Sequence, residues 1–185
     1  VMCALGWACW KAYVGRPETD QPRQMAMSVL GNGLHDADHC EEALSVREVE
    51  LSTLRRLGDS EYNILVVLNN LARTYEVLGR DEQALDLRRD VYSGALKLHG
   101  EEDARTLQAA MGYAASLVQL ERFEEAMALY RKTLPMARRV LGESSELTLG
   151  VRTNYAMAFC ADPAATLDGL REAVTTLEES ERIVR

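Results

Sequence analysis

Hydrophobic residues along this chain recur at the three- and four-residue spacing of an amphipathic α-helix. Residues 69–87, NNLARTYEVLGRDEQALDL, show the pattern on both sides of a short turn. Gly79 stands where the first helix is expected to end, and Ala84 follows just inside the second. Ala72 lies near the middle of the first. Because only small side chains fit where helix axes approach to about 8–10 Å, Ala72 and Ala84 predict one crossing between paired helices.

The same pattern recurs along the chain with a period near 42 residues. Alanines in HCEEALSV, RDEQALDL and RFEEAMAL are spaced by 41 and 42 residues, at Ala43, Ala84 and Ala126. A second series of small residues precedes them, at Gly31, Ala72, Ala114 and Ala156. Glycines 42 residues apart stand where a left-handed cap would end each second helix, at Gly58, Gly100 and Gly142. A helical period of this length is typical of stacked helix pairs.

These series predict an all-α chain that forms a single solenoid domain over residues 1–185. Residues 1–15 would be the second helix of a truncated repeat. Four antiparallel pairs would follow over residues 22–57, 60–99, 103–141 and 146–184. No linker rich in proline, glycine or serine divides the chain, so we expect one array.

The quoted stretches resemble tetratricopeptide repeats, and the long period resembles the kinesin light chain-like type. LNNLARTYEVLGRDEQAL and GYAASLVQLERFEEAMALYRKTL carry the helix pattern, and LGESSELT carries the linker pattern. The resemblance implies a right-handed superhelical solenoid whose first helices line a concave, peptide-binding face. One departure concerns the aromatic residue four positions after the second-helix alanine. It is present as Tyr130, whereas Arg47 and Arg88 occupy the other two positions.

Candidate binding residues follow from the resemblance. It implies that an asparagine two positions before the small residue of the first helix bonds a bound peptide backbone. Asn70 and Asn154 occupy that position, and a neutral amide suits the role because it offers donors and an acceptor without a charge to desolvate. Asn69, Arg73 and Asn32 would extend the same concave face. The alternative is that all five are ordinary solvated helix residues.

Candidate metal and catalytic groups are few. His35 and His39 in HDADHC are four residues apart, a spacing that places two imidazoles on one face of a helix. The repeat register, however, places this segment across a turn, which favours a polar turn with Asp38 as the N-cap of the next helix. No phosphate loop, dinucleotide fingerprint or nucleophile elbow is present. We therefore expect no catalytic residue, no metal and no cofactor.

Charge and composition limit the classes of partner and the cellular setting that we expect. The net charge of −8 argues against nucleic acid and anionic membranes, because phosphate binding needs clustered lysine and arginine. The apolar segment VMCALGWACWKAY is shorter than the roughly 20 residues of a membrane span, so we expect a buried helix there. The four scattered cysteines form no Cys-x-x-Cys pair, which favours a reduced, cytoplasmic setting.

The sequence therefore predicts a non-enzymatic scaffold or adaptor that binds a peptide or partner domain on its concave face. The alternative is a structural segment of a longer array, for example in a kinesin light chain-like cargo adaptor. In that case half-repeats would expose apolar surface at both ends, and end-to-end self-association of the chain is expected.

Overall fold

The computed structural model describes residues 2–184, which form nine α-helices and contain no β-strand. The helices are α1 (Met2–Tyr13), α2 (Gln21–His35), α3 (Cys40–Leu57), α4 (Glu61–Val77), α5 (Asp81–His99), α6 (Ala104–Gln119), α7 (Phe123–Leu141), α8 (Glu146–Ala161) and α9 (Leu167–Val184). Val1 and Arg185, which the predicted domain range includes, lie outside the described residues. The prediction of an all-α chain is confirmed.

Internal contacts divide the chain into two compact units, Val1–Val91 and Tyr92–Arg185, with the division inside α5. In the first unit α2 packs against both α1 and α3, and α3 packs against α4. In the second unit α7 packs against both α6 and α8, α8 packs against α9, and α6 also contacts α8. The single domain and the repeat boundaries inferred from the sequence stay predictions.

The small residues of both predicted series are deeply buried among the helices. The alanines of both predicted series are fully buried, namely Ala43, Ala72, Ala84, Ala114, Ala126 and Ala156. Apolar side chains on either side complete the core of the first unit, where Leu44 and Leu54 of α3 pack with Val67 and Leu71 of α4. The period seen in the sequence is therefore the period at which small residues are buried, as expected where helices approach closely.

The helices end largely as their glycines predict. Gly58 adopts a left-handed conformation with φ 68° and ψ 35°, and its N–H donates to the carbonyl of Arg55 at 3.2 Å. The next N–H, from Asp59, donates to Leu54 at 3.0 Å, which satisfies a second carbonyl that the helix end leaves open. Gly142 also has a positive φ, of 87°, but its ψ of 163° is extended. The left-handed cap predicted at Gly142 is therefore wrong.

The turn between α2 and α3 differs from its prediction. The N-cap of α3 is His39, which makes no side-chain cap hydrogen bond. Asp38 instead adopts a left-handed conformation with φ 61° inside the turn. The assignment of Asp38 as the N-cap is thus wrong, because the helix begins one residue later than the charge pattern suggested. Elsewhere Asp20 and Ser60 cap their helices by accepting hydrogen bonds from main-chain N–H groups.

Helix α1 packs against α2 by one face and is otherwise exposed. Trp10 packs against Leu30 and Leu34, whereas Met2 and Leu5 are each 53% exposed. The expectation of a buried helix is therefore wrong, because only one face of α1 meets a partner helix in the described structure. No helix among the described residues combines the length and the apolar character that crossing a bilayer requires.

Candidate binding site

The predicted binding residues fall in both units. Asn32 lies on α2, and Asn69, Asn70 and Arg73 lie on α4, all within the first unit. Asn154 lies on α8 in the second. Asn32 and Arg73 are exposed, and the other three asparagines are half-buried. The first unit therefore holds four of the five on two helices.

A buried arginine connects these two helices. Arg47 on α3 is 2% exposed, and its Nη1 donates to the main-chain oxygen of Asn70 at 2.8 Å. The same nitrogen donates to Oγ1 of Thr74, and Nη2 donates to Oδ1 of Asn32 at 2.9 Å. Burial, followed by the nearby charge of Arg73, lowers the pKa of Arg47. Because Arg47 donates to the amide oxygen of Asn32, the NH₂ group and one remaining lone pair of that oxygen are left for a ligand.

A second arginine makes a corresponding contact on α4. Nη1 of Arg88 on α5 donates to Oδ1 of Asn69 at 2.6 Å. Its Nε and Nη2 donate to the two carboxylate oxygens of Glu76, each at 2.9 Å, which is the strong bidentate geometry. Asn69 is therefore held by its own helix pair. Within the described part of the chain, no hydrogen bond involves the side-chain amide of Asn70, so both of its polar ends are available.

These two arginines and Tyr130 share one repeat position, four residues after Ala43, Ala84 and Ala126. In the second unit Tyr130 is buried, and its ring lies 6.1 Å from the ring of Tyr155 on α8. Burial raises the pKa of Tyr130. At this repeat position the side chain, arginine or tyrosine, therefore extends towards the first helix of a pair. The sequence shows arginine in place of the aromatic residue here, but it did not predict the hydrogen bonds to neighbouring helices. An arginine at a position expected to be buried was the available signal.

A groove separates the exposed faces of α2 and α4, with α3 as its floor. It encloses about 270 Å³ and is lined by Gln21, Gln24, Met25, Ser28, Glu50, Leu54, Asn63, Val66 and Val67. Two wall residues are exposed apolar side chains: Met25 is 68% exposed and Val66 is 43% exposed. The groove therefore presents apolar walls to solvent beside the polar residues of the same two helices.

The floor of this groove carries a carboxylate. Glu50 on α3 is only 6% exposed, and one of its oxygens accepts a hydrogen bond from Oγ of Ser28. No lysine or arginine among the described residues lies within 4.0 Å of its oxygens. Burial raises the pKa of Glu50, and the hydrogen bond from Ser28 and the charge of Arg47 oppose that rise.

The two histidines of HDADHC have different surroundings. Nδ1 of His35 is buried without a hydrogen-bond partner in the described part of the chain, and burial, followed by Arg47 and Arg73, lowers the pKa of this histidine. His39 is exposed and lies 3.5 Å from a carboxylate oxygen of Glu42. Among residues 2–184, no three His, Cys, Asp or Glu side chains are grouped so that they could hold a metal ion.

Part of this chain matches the model of a known protein family. The model of the family described as tetratricopeptide repeat matches residues 63–139. The predicted resemblance to tetratricopeptide repeats is confirmed. No curated protein sequence matches the chain.

Three solved structures have a similar fold, and two of them carry the kinesin light chain name. A variant of a candidate kinesin light chain of Podosopora anserina with nearly identical TPR-like repeats superposes with a TM-score of 0.81 at 20% identity, over 98% of this chain and 84% of that one. The parent protein gives a TM-score of 0.77 at 20% identity, over 98% and 82%. BtubC (BKLC) from P. vanneervenii gives 0.70 at 15% identity, over 99% and 89%.

These matches confirm the predicted fold class, an all-α tetratricopeptide-type solenoid, and the predicted resemblance of the fold to kinesin light chain-like repeat proteins. The chain is a helical repeat scaffold, an architecture that generally serves protein–protein interaction. At identities of 20% and below, the likeness concerns the fold and not the ligands of those proteins.

Proposed function

We propose that this protein is a non-enzymatic scaffold that binds a peptide or a partner domain along the exposed faces of α2 and α4. The groove between these helices carries the proposal. Its walls expose the side chains of Met25 and Val66 to solvent, and Asn70 and Arg73 continue the same face of α4. Exposed apolar side chains rimmed by polar groups are typical of interaction surfaces.

Helical spacing aligns these residues into one stripe on α4. Tyr62, Val66, Asn70 and Arg73 follow one another at intervals of four, four and three residues, so they share one face of the helix. On α2 the corresponding stripe consists of Met25, Val29 and Asn32, all exposed. A partner segment in the groove would contact apolar groups near the helix starts and amide groups further along.

Partly buried hydrogen bonds hold polar residues of α2 and α4 in place. Arg47 connects Asn32 to the backbone of Asn70, and Arg88 holds Asn69. Because these side chains are already ordered, less conformational entropy is lost when a partner binds. We extend the proposal to Asn154 in the second unit, where it precedes the 60%-exposed Met157 on the same helix.

Selection of phage-displayed random 12-residue peptides on the full chain tests this proposal. The affinities of recovered peptides would be measured by fluorescence polarisation. For peptides that contact this wall through apolar side chains, we expect Val66→Asp to weaken binding at least about tenfold, because it places a charge in a desolvated contact. Asn70→Ala should weaken binding by a smaller factor, without lowering the melting temperature. Val174→Asp alters an exposed valine of α9 and is the matched control; an equal loss in that variant would overturn the groove assignment.

A second candidate function is packing within a longer array, and the surface of α9 favours it. Leu167 and Val174 are 65% and 55% exposed, whereas Met127 and Leu134 of α7 are buried. An apolar stripe of this kind is expected to attract another helix, including one from a second copy. Light scattering across protein concentrations would detect self-association, and Val174→Asp should abolish it while peptide binding persists.

We further propose a cytoplasmic setting without a cofactor. All four cysteines of the chain are free in the structure, at Cys3, Cys9, Cys40 and Cys160. Free thiols are typical of reducing compartments. Fractionation of the source cells with an antibody against the full-length protein tests the setting, and recovery in a secreted fraction would contradict it.

A further inference from the structure

We propose that the groove between α2 and α4 selects a basic residue of the bound peptide, a lysine or arginine whose charge pairs with Glu50. This inference rests on the proposed function and names the chemistry of its ligand. It follows from three features of the first unit: an uncompensated carboxylate, neighbouring cations that are bound elsewhere, and apolar walls above the carboxylate.

The carboxylate of Glu50 has no lysine or arginine of the described residues in direct contact, and the charge of Arg47 acts on it only from a distance. It is 6% exposed, and the hydroxyl of Ser28 is its one hydrogen-bond donor among the described residues. A carboxylate withdrawn from water costs free energy unless a cation or several donors compensate it. A hydroxyl group satisfies one lone pair of one oxygen, and the second oxygen has no donor within the described structure. The floor of the groove therefore attracts a further donor, and a cationic one most strongly.

Nearby arginines are engaged with other groups. Arg47 lies one helical turn before Glu50 on α3, but its guanidinium bonds Asn32, Asn70 and Thr74. Arg23 on α2 donates to the carbonyl of Arg16 at 2.5 Å and lies 4.0 Å from a carboxylate oxygen of Glu18. Neither arginine makes an ion pair with Glu50, so a cation in direct contact with this carboxylate would have to come from a ligand.

The shape of the groove suits a long cationic side chain. Met25 and Val66 form its outer walls, and Leu54 and Val67 lie deeper beside Glu50. Lysine and arginine pack their methylene stems along apolar surface and keep the charged head on a polar group. An acidic side chain in the same place would face Glu50 with like charge, and an aliphatic one would leave the carboxylate uncompensated. The net charge of −8 adds a long-range attraction for basic segments.

Positional-scanning pools of synthetic hexapeptides test the inference on the full chain at 150 mM salt. One position is held as lysine, arginine, norleucine or glutamate while the others vary, and affinity is measured by fluorescence polarisation. We expect the lysine and arginine pools to bind wild-type protein at least about tenfold more tightly than the norleucine pool, since a buried charge-assisted hydrogen bond contributes that much. The glutamate pool should bind least.

Two matched variants test whether Glu50 causes the preference for a basic residue. Glu50→Gln keeps the shape of the side chain and should reduce the preference for lysine over norleucine to less than about threefold. Glu48→Gln makes the same change at an exposed residue of the same helix and should retain the preference. If Glu50→Gln does not fold, the comparison of pools on wild-type protein still decides whether the groove prefers a basic residue.

Failure of this inference differs from failure of the proposed function. Equal binding of the lysine, norleucine and glutamate pools, lost in Val66→Asp, would overturn the basic preference and leave groove binding intact. Absence of binding by every pool, together with no peptide recovered by phage display, would overturn both. A lysine preference that Glu48→Gln removes as fully as Glu50→Gln would overturn the assignment to Glu50.

Discussion

Nη1 of Arg47 on α3 lies 2.8 Å from the main-chain oxygen of Asn70 on α4 and donates a hydrogen bond to it. The contact joins the second helix of one predicted pair to the first helix of the next. It also fixes the backbone at the residue whose amide is the best candidate for ligand contact. In this chain a charged side chain holds two stacked helices where Tyr130 uses an aromatic ring in the second unit.

Replacement of Arg47 should be costly. Arg47→Ala removes hydrogen bonds to Asn32, Asn70 and Thr74 and leaves a cavity between three helices. We expect a loss of about 3 kcal/mol or more in the free energy of unfolding, measured by urea titration of the helical circular dichroism signal. Arg55→Ala, at an exposed position of the same helix, should cost about 1 kcal/mol or less. Equal losses in the two variants would contradict a linking role for Arg47.

Replacement of Arg152, another buried arginine, should destabilise the protein less than replacement of Arg47. Arg152 on α8 is 1% exposed, but its Nε and Nη1 have no hydrogen-bond partner among the residues that the structure describes. Its Nη2 bonds a carboxylate oxygen of Glu143 at 2.6 Å. Because part of its desolvation cost is uncompensated, Arg152→Met should change the free energy of unfolding by about 1 kcal/mol or less. Arg47→Met, which removes a satisfied guanidinium, should cost more; a reversed order would refute this interpretation.

The contact between α1 and α2 depends on a glycine. A Cβ atom on Gly33 would lie 2.7 Å from the carbonyl oxygen of Met2, which is main chain and cannot rotate away. Gly33→Ala should therefore displace α1 at a cost of about 1–3 kcal/mol. Both tryptophans of the chain, Trp7 and Trp10, lie on α1, so a red shift in their fluorescence reports this displacement specifically.

Gly15→Ala is the control for this change. A Cβ atom at Gly15 meets no other atom within 4 Å. Its tryptophan fluorescence and its stability should match the wild type within about 0.5 kcal/mol. Fluorescence that stays unchanged in Gly33→Ala, while the protein remains folded, would contradict the close approach of the two backbones.

Burial of Glu50 predicts how stability depends on pH. The folded-state pKa of Glu50 lies above its ordinary value of 4.5, so below that value the carboxyl is protonated in both states and costs nothing. As pH rises from 4.5 through the folded-state pKa, ionisation favours the unfolded chain. Glu50→Gln does not titrate, and its stability relative to wild type should rise across this window and then remain constant. Urea titrations from pH 4 to pH 8 measure it; a relative stability that is flat or falls with pH would refute the prediction.

The repeat architecture was accessible from the sequence because helix crossings impose small residues at fixed intervals. Ala72 and Ala84 were recognised this way, and both are fully buried. Local pattern was less reliable at helix ends. Asp38 has the composition of an N-cap, but the chain turns through it in a left-handed conformation, and α3 begins after His39. Cap positions depend on backbone angles, and several polar residues in a row satisfy the same composition rule.

The candidate site was only partly accessible. Asn32, Asn69, Asn70 and Arg73 could be placed on first helices by register alone. Their hydrogen bonds could not, because a long side chain reaches residues that are distant in the sequence. Glu50 gave no sequence signal at all, since a glutamate on an amphipathic helix is ordinarily exposed.

The sequence by itself determined an all-helical chain of tetratricopeptide-type pairs, because the period of small residues records where helices must touch. Only the tertiary structure decided that Arg47 binds the amide oxygen of Asn32, that Arg88 binds Asn69, and that Glu50 is buried beneath the groove without an ion-pair partner among the described residues. The physical reason is that helix pairing follows from the spacing of small side chains, which recurs at a regular interval along the sequence. Hydrogen bonding and charge burial depend on which side chains from different helices meet.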